Sequence, residues 1–291
     1  LFIKQSGGGS IRKVKTDKAD AVKIARYALD NWADLRDYTP MDTIRYDLKT
    51  LNRQFQLASK QKTATANNLI ALQEQSFPGI RKCFDSPVRQ DGTQKWVDFT
   101  YTFWHADCVR KHSLNAFAER YRKWCKRHGY IFKQSNAEEV YALAKSAVTL
   151  VSSSEVTKLL VQEAANQLTG ISHSVETYRA EMNRLASMLP EYPVVMEMYG
   201  VGESFGPQLM AEIGDIRRFE HKKSLVAFAG VDPMPNQSGE KNVRSNRSSK
   251  RGSPYLRKTL FNIMGIYLRC SPADEPVYQF LDRKRVEGKP F

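Results

Sequence analysis

The fold of this chain is decided by residues 159–188, LLVQEAANQLTGISHSVETYRAEMNRLASM. Apolar residues recur there every three to four positions, which is the period of an amphipathic helix. The same pattern covers residues 137–189, with one apolar side formed by Leu159, Leu160, Ala164, Leu168, Ile171, Tyr178, Met182, Leu185 and Met188. We therefore predict a long helix in this range.

A second helical pattern runs from about residue 41 to residue 75, after the break at Pro40. An insertion of less regular sequence, about 83–135, separates the two helical stretches. Two long helices around an insertion predict an antiparallel coiled coil, which would space domains or join subunits. The chain is therefore expected to be mainly α.

The insertion contains the aromatic stretch WVDFTYTFW, residues 96–104. Its apolar residues Val97, Phe99, Tyr101 and Phe103 alternate with polar ones, a pattern that predicts a strand or a hairpin. A helical pattern returns near residues 112–127 and is broken by Gly129.

Two alternative binding sites fall in the same insertion. Nucleic-acid bases could stack on the aromatic side chains, although a small core of the insertion is the favoured interpretation for Trp96, Phe99, Tyr101 and Trp104. A zinc site is the second alternative, because the spacing is near that of zinc modules for Cys108, His112, Cys125 and His128. The helical pattern around these four residues argues against zinc. The chain's four cysteines are too few and too scattered for a disulfide framework.

The charge of the chain indicates its partners. It has 45 Lys and Arg against 31 Asp and Glu in 291 residues, a formal net charge of +14. Polyanions fit such a surface, nucleic acid first and an anionic membrane second. No stretch approaches the roughly 18 apolar residues of a membrane span, and no signal-peptide pattern is present. We expect a soluble, intracellular protein.

Two acids stand in a basic neighbourhood in KTDKADA, residues 15–21. A helix is predicted over residues 15–32, so Asp17 and Asp20 lie three positions apart on one face of its first turn. One interpretation is a helix start capped by Thr16 or Asp17, with acids at the positive end of the helix dipole. The other is a pair of ligands for Mg²⁺ or Mn²⁺, since hard cations take carboxylate oxygens.

The composition changes again after Pro190. Residues 198–219, MYGVGESFGPQLMAEIGDIRRF, place a turn with Gly200 and Gly202 before a short helix. We expect Pro207 in the first turn of that helix and Gly214 at its end. A glycine turn feeding a helix N-terminus resembles a helix-hairpin-helix, which grips phosphate backbones. One more helix, residues 222–229, is expected to end at Gly230.

A basic segment follows, residues 231–258, and its cations are Lys241, Arg244, Arg247, Lys250, Arg251, Arg257 and Lys258. They could form a loop that only neutralises phosphates. Alternatively, they could hold a scissile phosphate while a serine hydroxyl attacks it. Ser238 is the favoured serine because it stands between the preceding helix and the basic run, and Ser249 and Ser253 stay open.

Two of these motifs resemble one family. KTDKADA and the range 200–260 together look like the DEDD-type insertion-sequence transposases, relatives of the pilin-gene invertase. The resemblance implies a remnant of a RuvC-like domain at 1–34, a coiled-coil region at 35–189 and a truncated C-terminal transposase domain at 190–291. It implies DNA cutting and rejoining, donor and target DNA, a structured guide RNA, and a dimer or tetramer formed through the coiled coil in a prokaryotic cell. A non-catalytic RNA- or DNA-binding module is the alternative.

The resemblance also implies roles for single residues. Asp17 and Asp20 match the last two acids of a four-carboxylate site for Mg²⁺ or Mn²⁺. Ser238, followed by a glycine, matches the nucleophile that links covalently to a DNA phosphate. Lys250, Arg251 and Gly252 match the basic motif after it, while Gly200 and Gly202 match the turn before it. Both domains contribute to the site, across subunits.

The chain also departs from the family pattern. The family's first two acids lie roughly a hundred residues upstream of the last two, whereas sixteen residues precede Asp17 here. The sequence opens at Leu1, and the glycine-rich run 6–10 is either a native loop or a linker. We therefore expect a fragment that lacks half of the metal site and does not cut DNA alone.

Overall fold

The computed structural model describes residues 16–34, 41–233, 237–238, 241–242 and 248–289. They are mainly α-helical, as predicted, and the chain divides into two compact units, Leu1–Met41 and Asp42–Phe291.

The described part of the first unit is one helix, α1 (Asp17–Asp30), followed by the 3-10 turn Trp32–Asp34. Thr16 is the N-cap, and its side chain accepts a hydrogen bond of 3.2 Å from the backbone N–H of Ala19. The predicted helix is confirmed, and so is its start at the two acids.

The second unit is built on two long helices, α2 (Thr43–Ser76) and α7 (Glu155–Ala186). Four helices lie between them in sequence: α3 (Lys95–Thr102), α4 (Asp107–Arg110), α5 (Leu114–Arg127) and α6 (Gln134–Ser146). The elements after α7 are α8 (Tyr192–Glu197), α9 (Gly202–Ile213), α10 (Lys222–Ala229), β1 (Gln237–Ser238), β2 (Lys241–Asn242), α11 (Pro254–Cys270) and α12 (Pro276–Val286). Short 3-10 turns lie at Ile80–Cys83 and Ile216–Arg218.

The two long helices pack antiparallel. Near the start of α2, Arg45 Nη2 lies 2.5 Å from the carboxylate of Glu191, just beyond the end of α7. Midway, Lys62 Nζ lies 3.9 Å from Glu176. Apolar side chains from both helices fill the seam between these pairs. The predicted pairing of two long helices is present, while their role in joining subunits stays a prediction.

The insertion, residues 77–150, has an aromatic core that we call the insertion core. Phe99 is fully buried at its centre, with ring centroids 4.7 Å from Phe84 and 4.7 Å from Phe103. The predicted strand over residues 96–104 is wrong, because residues 95–102 form helix α3. Burial follows the helical spacing of Trp96, Phe99, Thr100 and Phe103, while Tyr101 is 41% exposed.

The two alternative sites of the insertion fare differently. Trp96 and Phe99 are core residues and offer no surface on which a base could stack, whereas Tyr101 is exposed and stacking there stays a prediction. Cys125 is buried, and the ring of His128 stacks on Trp124. No group of three or more His, Cys, Asp or Glu residues able to hold a metal occurs in the described part of the chain, so the zinc interpretation is wrong.

Helix α9 differs from the prediction at one residue. It ends at Gly214 as expected, but Pro207 lies in its second turn rather than its first. A proline there removes the N–H that would bond the carbonyl of Glu203. Asn183 of α7 supplies the missing donor, with Nδ2 3.0 Å from that carbonyl oxygen. The helix therefore tolerates the proline because a neighbouring helix caps the free carbonyl.

Candidate nucleic-acid interface and catalytic residues

The basic motif at Lys250 and Arg251 is fixed to the end of α10. The backbone N–H of Lys250 donates to the carbonyl of Gly230 at 3.0 Å, and that of Ser253 donates to Phe228 at 2.7 Å. A Cβ at Gly252 would lie 1.9 Å from the Phe228 oxygen, so only glycine fits between these segments. The predicted helix end at Gly230, with φ +68°, is confirmed. The basic motif packs against this helix end.

The segment between α10 and the basic motif is paired as an antiparallel hairpin. An antiparallel bridge joins Pro233 to Ser248, and farther out β1 pairs with β2, with Ser238 opposite Lys241. The predicted cations Arg244 and Arg247 lie outside the described residues. Ser238 thus stands at the outer end of β1, on a hairpin whose base is held beside the basic motif.

The predicted cations after the hairpin divide into two kinds. Lys250 and Arg251 are exposed. Arg257 instead donates to the carbonyl of Ala229 at 3.0 Å, and Lys258 Nζ lies 2.7 Å from Gln56 Oε1. Within the described residues, the side chains of the first two have no hydrogen-bond or ion-pair partner, while Arg257 and the likewise exposed Lys258 bond α11 to α10 and α2.

The two alternative serines both have structural partners. Ser249 Oγ donates to the carboxylate of Asp232 at 2.5 Å. Ser253 caps α11 by accepting from the N–H of Leu256 at 3.2 Å, and its hydroxyl donates to Glu212 at 2.9 Å.

Glu212 is a buried residue that the sequence pattern did not single out. It is 1% exposed and accepts hydrogen bonds from Asn52 Nδ2 at 2.6 Å and Arg53 Nη2 at 3.1 Å, besides the one from Ser253. The carboxylate therefore ties the residue directly after the basic motif to the long helix α2. Asn52 follows Leu48 by four positions, and this polar residue on an apolar stripe was the available signal.

A second pair extends this connection. Gln56 Nε2 of α2 donates to Gln208 Oε1 of α9 at 2.6 Å, and both side chains are buried. We call the set that joins α2, α9 and α11 the polar junction: Asn52, Arg53, Gln56, Gln208, Glu212, Ser253 and Lys258.

The glycine turn before α9 has the expected backbone. Gly200 has φ +73°, and a Cβ there would lie 3.3 Å from the side chain of Ile266. Helix α9 begins at Gly202 without a side-chain cap. Its first N–H groups are therefore open to an external acceptor. Phosphate binding at this turn stays a prediction.

Asp17 and Asp20 occupy the first turn of α1, and both are exposed. Asp20 Oδ1 lies 3.2 Å from Lys23 Nζ. Two exposed carboxylates one turn apart are the hard oxygen donors that Mg²⁺ or Mn²⁺ prefers, so the donor chemistry fits the implied metal. They would supply two of its ligands.

Among the residues that the structure describes, no helix combines the length and the apolar composition that a membrane span needs.

Comparisons with known proteins point to one family from both ends of the chain. A family model described as transposase, IS116/IS110/IS902 family, matches residues 192–279. A second model, for IS110 transposases of the DEDD type, matches residues 2–78.

The relatives agree with these matches. The insertion element IS900 uncharacterized 42 kDa protein of Mycobacterium paratuberculosis is 23% identical over 94% of this chain and 66% of its own length. The transposase for insertion sequence element IS1111A of Coxiella burnetii is 31% identical over 33% of this chain and 26% of its own. The pilin gene-inverting protein of Moraxella bovis is 32% identical over 38% and 31%, respectively.

The chain spans 25% to 66% of the length of the curated relatives that it matches. The two family models nevertheless match residues near both ends of the chain. Both ends of the chain therefore match models of IS110-type transposases, and the chain is similar to that family.

Proposed function

We propose that this chain takes part in cutting and rejoining DNA strands during the movement of an insertion sequence, with Ser238 as nucleophile. The observation that carries the proposal is the position of the basic motif, which is hydrogen-bonded to the end of α10 beside the base of the hairpin. Ser238 lies on a hairpin whose base is bonded to the turn that presents Lys250 and Arg251 to solvent.

The chemistry of the proposal is a phosphoryl transfer. The Ser238 hydroxyl attacks a DNA phosphorus, its proton is lost to the surroundings, and the bond from phosphorus to the leaving strand's oxygen breaks. The product is a serine–phosphate diester, and attack by a hydroxyl of another strand reverses the step and rejoins the DNA. Lys250 and Arg251, with Lys241, Arg244 and Arg247, would stabilise the charge on the phosphate oxygens.

Asp17 and Asp20 would hold the divalent cation. A bound Mg²⁺ or Mn²⁺ supplies Lewis-acid polarisation of a phosphate oxygen. The chain's own contribution is the pair of exposed carboxylates on the first turn of α1, which begins after the Thr16 cap. The proposal includes a homo-oligomer and a structured guide RNA, which the family resemblance suggests.

Ser238 is preferred over the neighbouring serines for a physical reason. The hydroxyls of Ser249 and Ser253 already donate to Asp232 and Glu212, two carboxylates that hold the fold together. These hydroxyls lie at the base of the hairpin and at the start of α11, whereas Ser238 lies farther out on the hairpin.

The experiment searches for the covalent intermediate. The assay uses the chain joined to a segment that supplies the first two acids of the implied four-carboxylate site, with Mg²⁺ and labelled insertion-sequence DNA. We expect an SDS-resistant protein–DNA adduct that Ser238→Ala abolishes and Ser249→Ala retains. Cleavage without any adduct would contradict the serine mechanism.

A further inference from the structure

The outer face of α5 carries an unusual concentration of charge. The apolar face of this helix is buried in the insertion core. Its opposite face has one acid, Glu119, and five exposed cations, which we call the basic face: Arg120, Arg122, Lys123, Lys126 and Arg127.

The long helix α7 provides the contrast. Each cation of α7 has an acid within one turn: Lys158 pairs with Glu155 at 3.3 Å, and Arg184 with Glu181 at 2.6 Å. The third cation, Arg179, pairs in the same way with the acid three positions before it, at 2.6 Å. Such pairs are the usual arrangement of a solvated helix face.

The basic face of α5 lacks that arrangement. Glu119 pairs with Arg122 at 2.9 Å. Within the described ranges of the chain, no carboxylate lies within 4.0 Å of Lys123, Lys126 or Arg127. The helix dipole favours cations in the last turn and so accounts for Lys126 and Arg127. It does not account for Lys123, one turn earlier, which adds repulsion to its neighbours.

We propose that the basic face of α5 is a docking surface for the phosphate backbone of duplex DNA, separate from the motif at Lys250. From Arg120 to Arg127 the helix rises about 10 Å, and duplex DNA carries about six phosphates over that length. The aromatic residues of α5, Phe117, Tyr121 and Trp124, are buried, so the face offers no platform for unpaired bases. Duplex backbone is the polyanion that fits, and the choice of DNA rests on the proposed function.

This surface is distant from the hairpin that bears Ser238. Gln73 of α2 donates to Thr100 of the insertion at 2.8 Å, whereas Gln56 of the same helix contacts Lys258. Seventeen residues of helix separate these two positions, a distance of roughly 25 Å. The basic face therefore anchors DNA away from the reacting phosphate.

The test compares two triple variants with equal loss of charge. One is Lys123→Gln, Lys126→Gln and Arg127→Gln on the basic face. The matched control is Lys60→Gln, Lys158→Gln and Arg184→Gln, three cations on the long helices. Binding of a labelled DNA duplex of about 30 base pairs is measured by fluorescence anisotropy over a range of KCl concentrations. Circular dichroism checks that each variant is folded.

The slope of log K against log salt is negative, and we expect the basic-face variant to make it shallower by about 2.7. This corresponds to about 0.9 for each phosphate that the protein no longer neutralises. The control should keep most of the original slope. Equal slopes for the two variants would overturn the proposal, since net charge alone would then explain binding. A slope change seen with an RNA duplex of the same length but not with DNA would overturn the choice of DNA.

The same measurement separates this inference from the catalytic proposal. Ser238→Ala should leave the salt slope unchanged, because a hydroxyl releases no counterions. Loss of the adduct with an unchanged slope bears on Ser238 alone, and loss of slope in the basic-face variant bears on α5 alone.

Discussion

The insertion core and the polar junction lie near opposite ends of α2 and are held together by opposite chemistry. Five aromatic rings have centroids between 4.7 and 6.5 Å from that of Phe99, and the polar atoms of two of them, Tyr121 and Trp124, donate to neighbouring side chains. At the junction, α2 meets α9 and α11 through the buried carboxylate of Glu212 and two buried glutamines.

The insertion core and the polar junction differ in how strongly and how specifically their contacts hold the structure. Aromatic packing is strong but only loosely directional, and it suits an insertion that only has to hold its outer face in place. Buried hydrogen bonds contribute less net stability, but their geometry is specific and a missing partner is costly. The polar junction adjoins the basic motif, where position matters more than strength.

The largest expected effect is in the insertion core. Phe99→Ala removes the central ring of a fully buried cluster, so we expect a loss of about 3–5 kcal/mol in the free energy of unfolding. Chemical denaturation followed by circular dichroism measures it. The control is Tyr101→Ala on the same helix, 41% exposed, which should cost far less. Equal losses for the two variants would contradict an aromatic core centred on Phe99.

The next effect is at the polar junction. Glu212→Gln replaces one carboxylate oxygen by an N–H₂ group that faces either Asn52 Nδ2 or the donors of Arg53 and Ser253, and we expect a loss of about 2–3 kcal/mol in the free energy of unfolding. Glu203→Gln makes the same change at an exposed position of the same helix and should be nearly neutral. If both variants unfold alike, Glu212 does not carry the junction.

A smaller effect concerns the proline of α9. Asn183→Ala removes the donor to the Glu203 carbonyl and should cost about 1 kcal/mol. Pro207→Ala restores the helix's own N–H for that carbonyl, so the cost of Asn183→Ala should shrink in its presence. A double-mutant cycle measured by denaturation gives this coupling. Strictly additive costs would mean that Asn183 acts through other contacts.

The smallest effect is an exposed pair just after α9. Hydrogen bonds from the side chain of Arg217 hold the pKa of Asp215 at about 2, below its ordinary value. A lowered carboxyl pKa stabilises the fold above about pH 4, and that contribution is lost as the pH falls toward 2.

The carboxylate of Asp215 is 37% exposed, so solvent screening limits its contribution to less than about 1 kcal/mol. The free-energy difference between the unmodified chain and Asp215→Asn should therefore shrink between pH 4 and pH 2. A difference that stays constant over this range would contradict the ion pair with Arg217.

The sequence predicts most of the helices that separate these two regions, but not the side-chain contacts within either region. The long helix α2 follows from apolar spacing alone and begins within two residues of the predicted start. The single helix predicted over residues 137–189 is wrong in its first part, because α6 ends at Ser146 and α7 begins only at Glu155. Helix α3 was missed because aromatic and β-branched residues favour strands, while the spacing from Trp96 to Phe103 also fits a helix. Glu212 was missed because its partners in α2 lie about 160 residues away in sequence. The roles of Asp17 and Ser238 stay predictions.

The antiparallel pairing of α2 with α7 limits how the length of this region can change. Adding one residue to a helix turns everything beyond it by about 100° and moves it by 1.5 Å. Such a change in α2 alone would turn its apolar stripe away from α7. It would also rotate the insertion, and with it the basic face of α5, about the axis of α2. We expect insertions in natural relatives to occur in both helices together and in steps of about seven residues, which nearly restore the original direction. The spacing between the two ends is thus adjustable only in steps of about 10 Å.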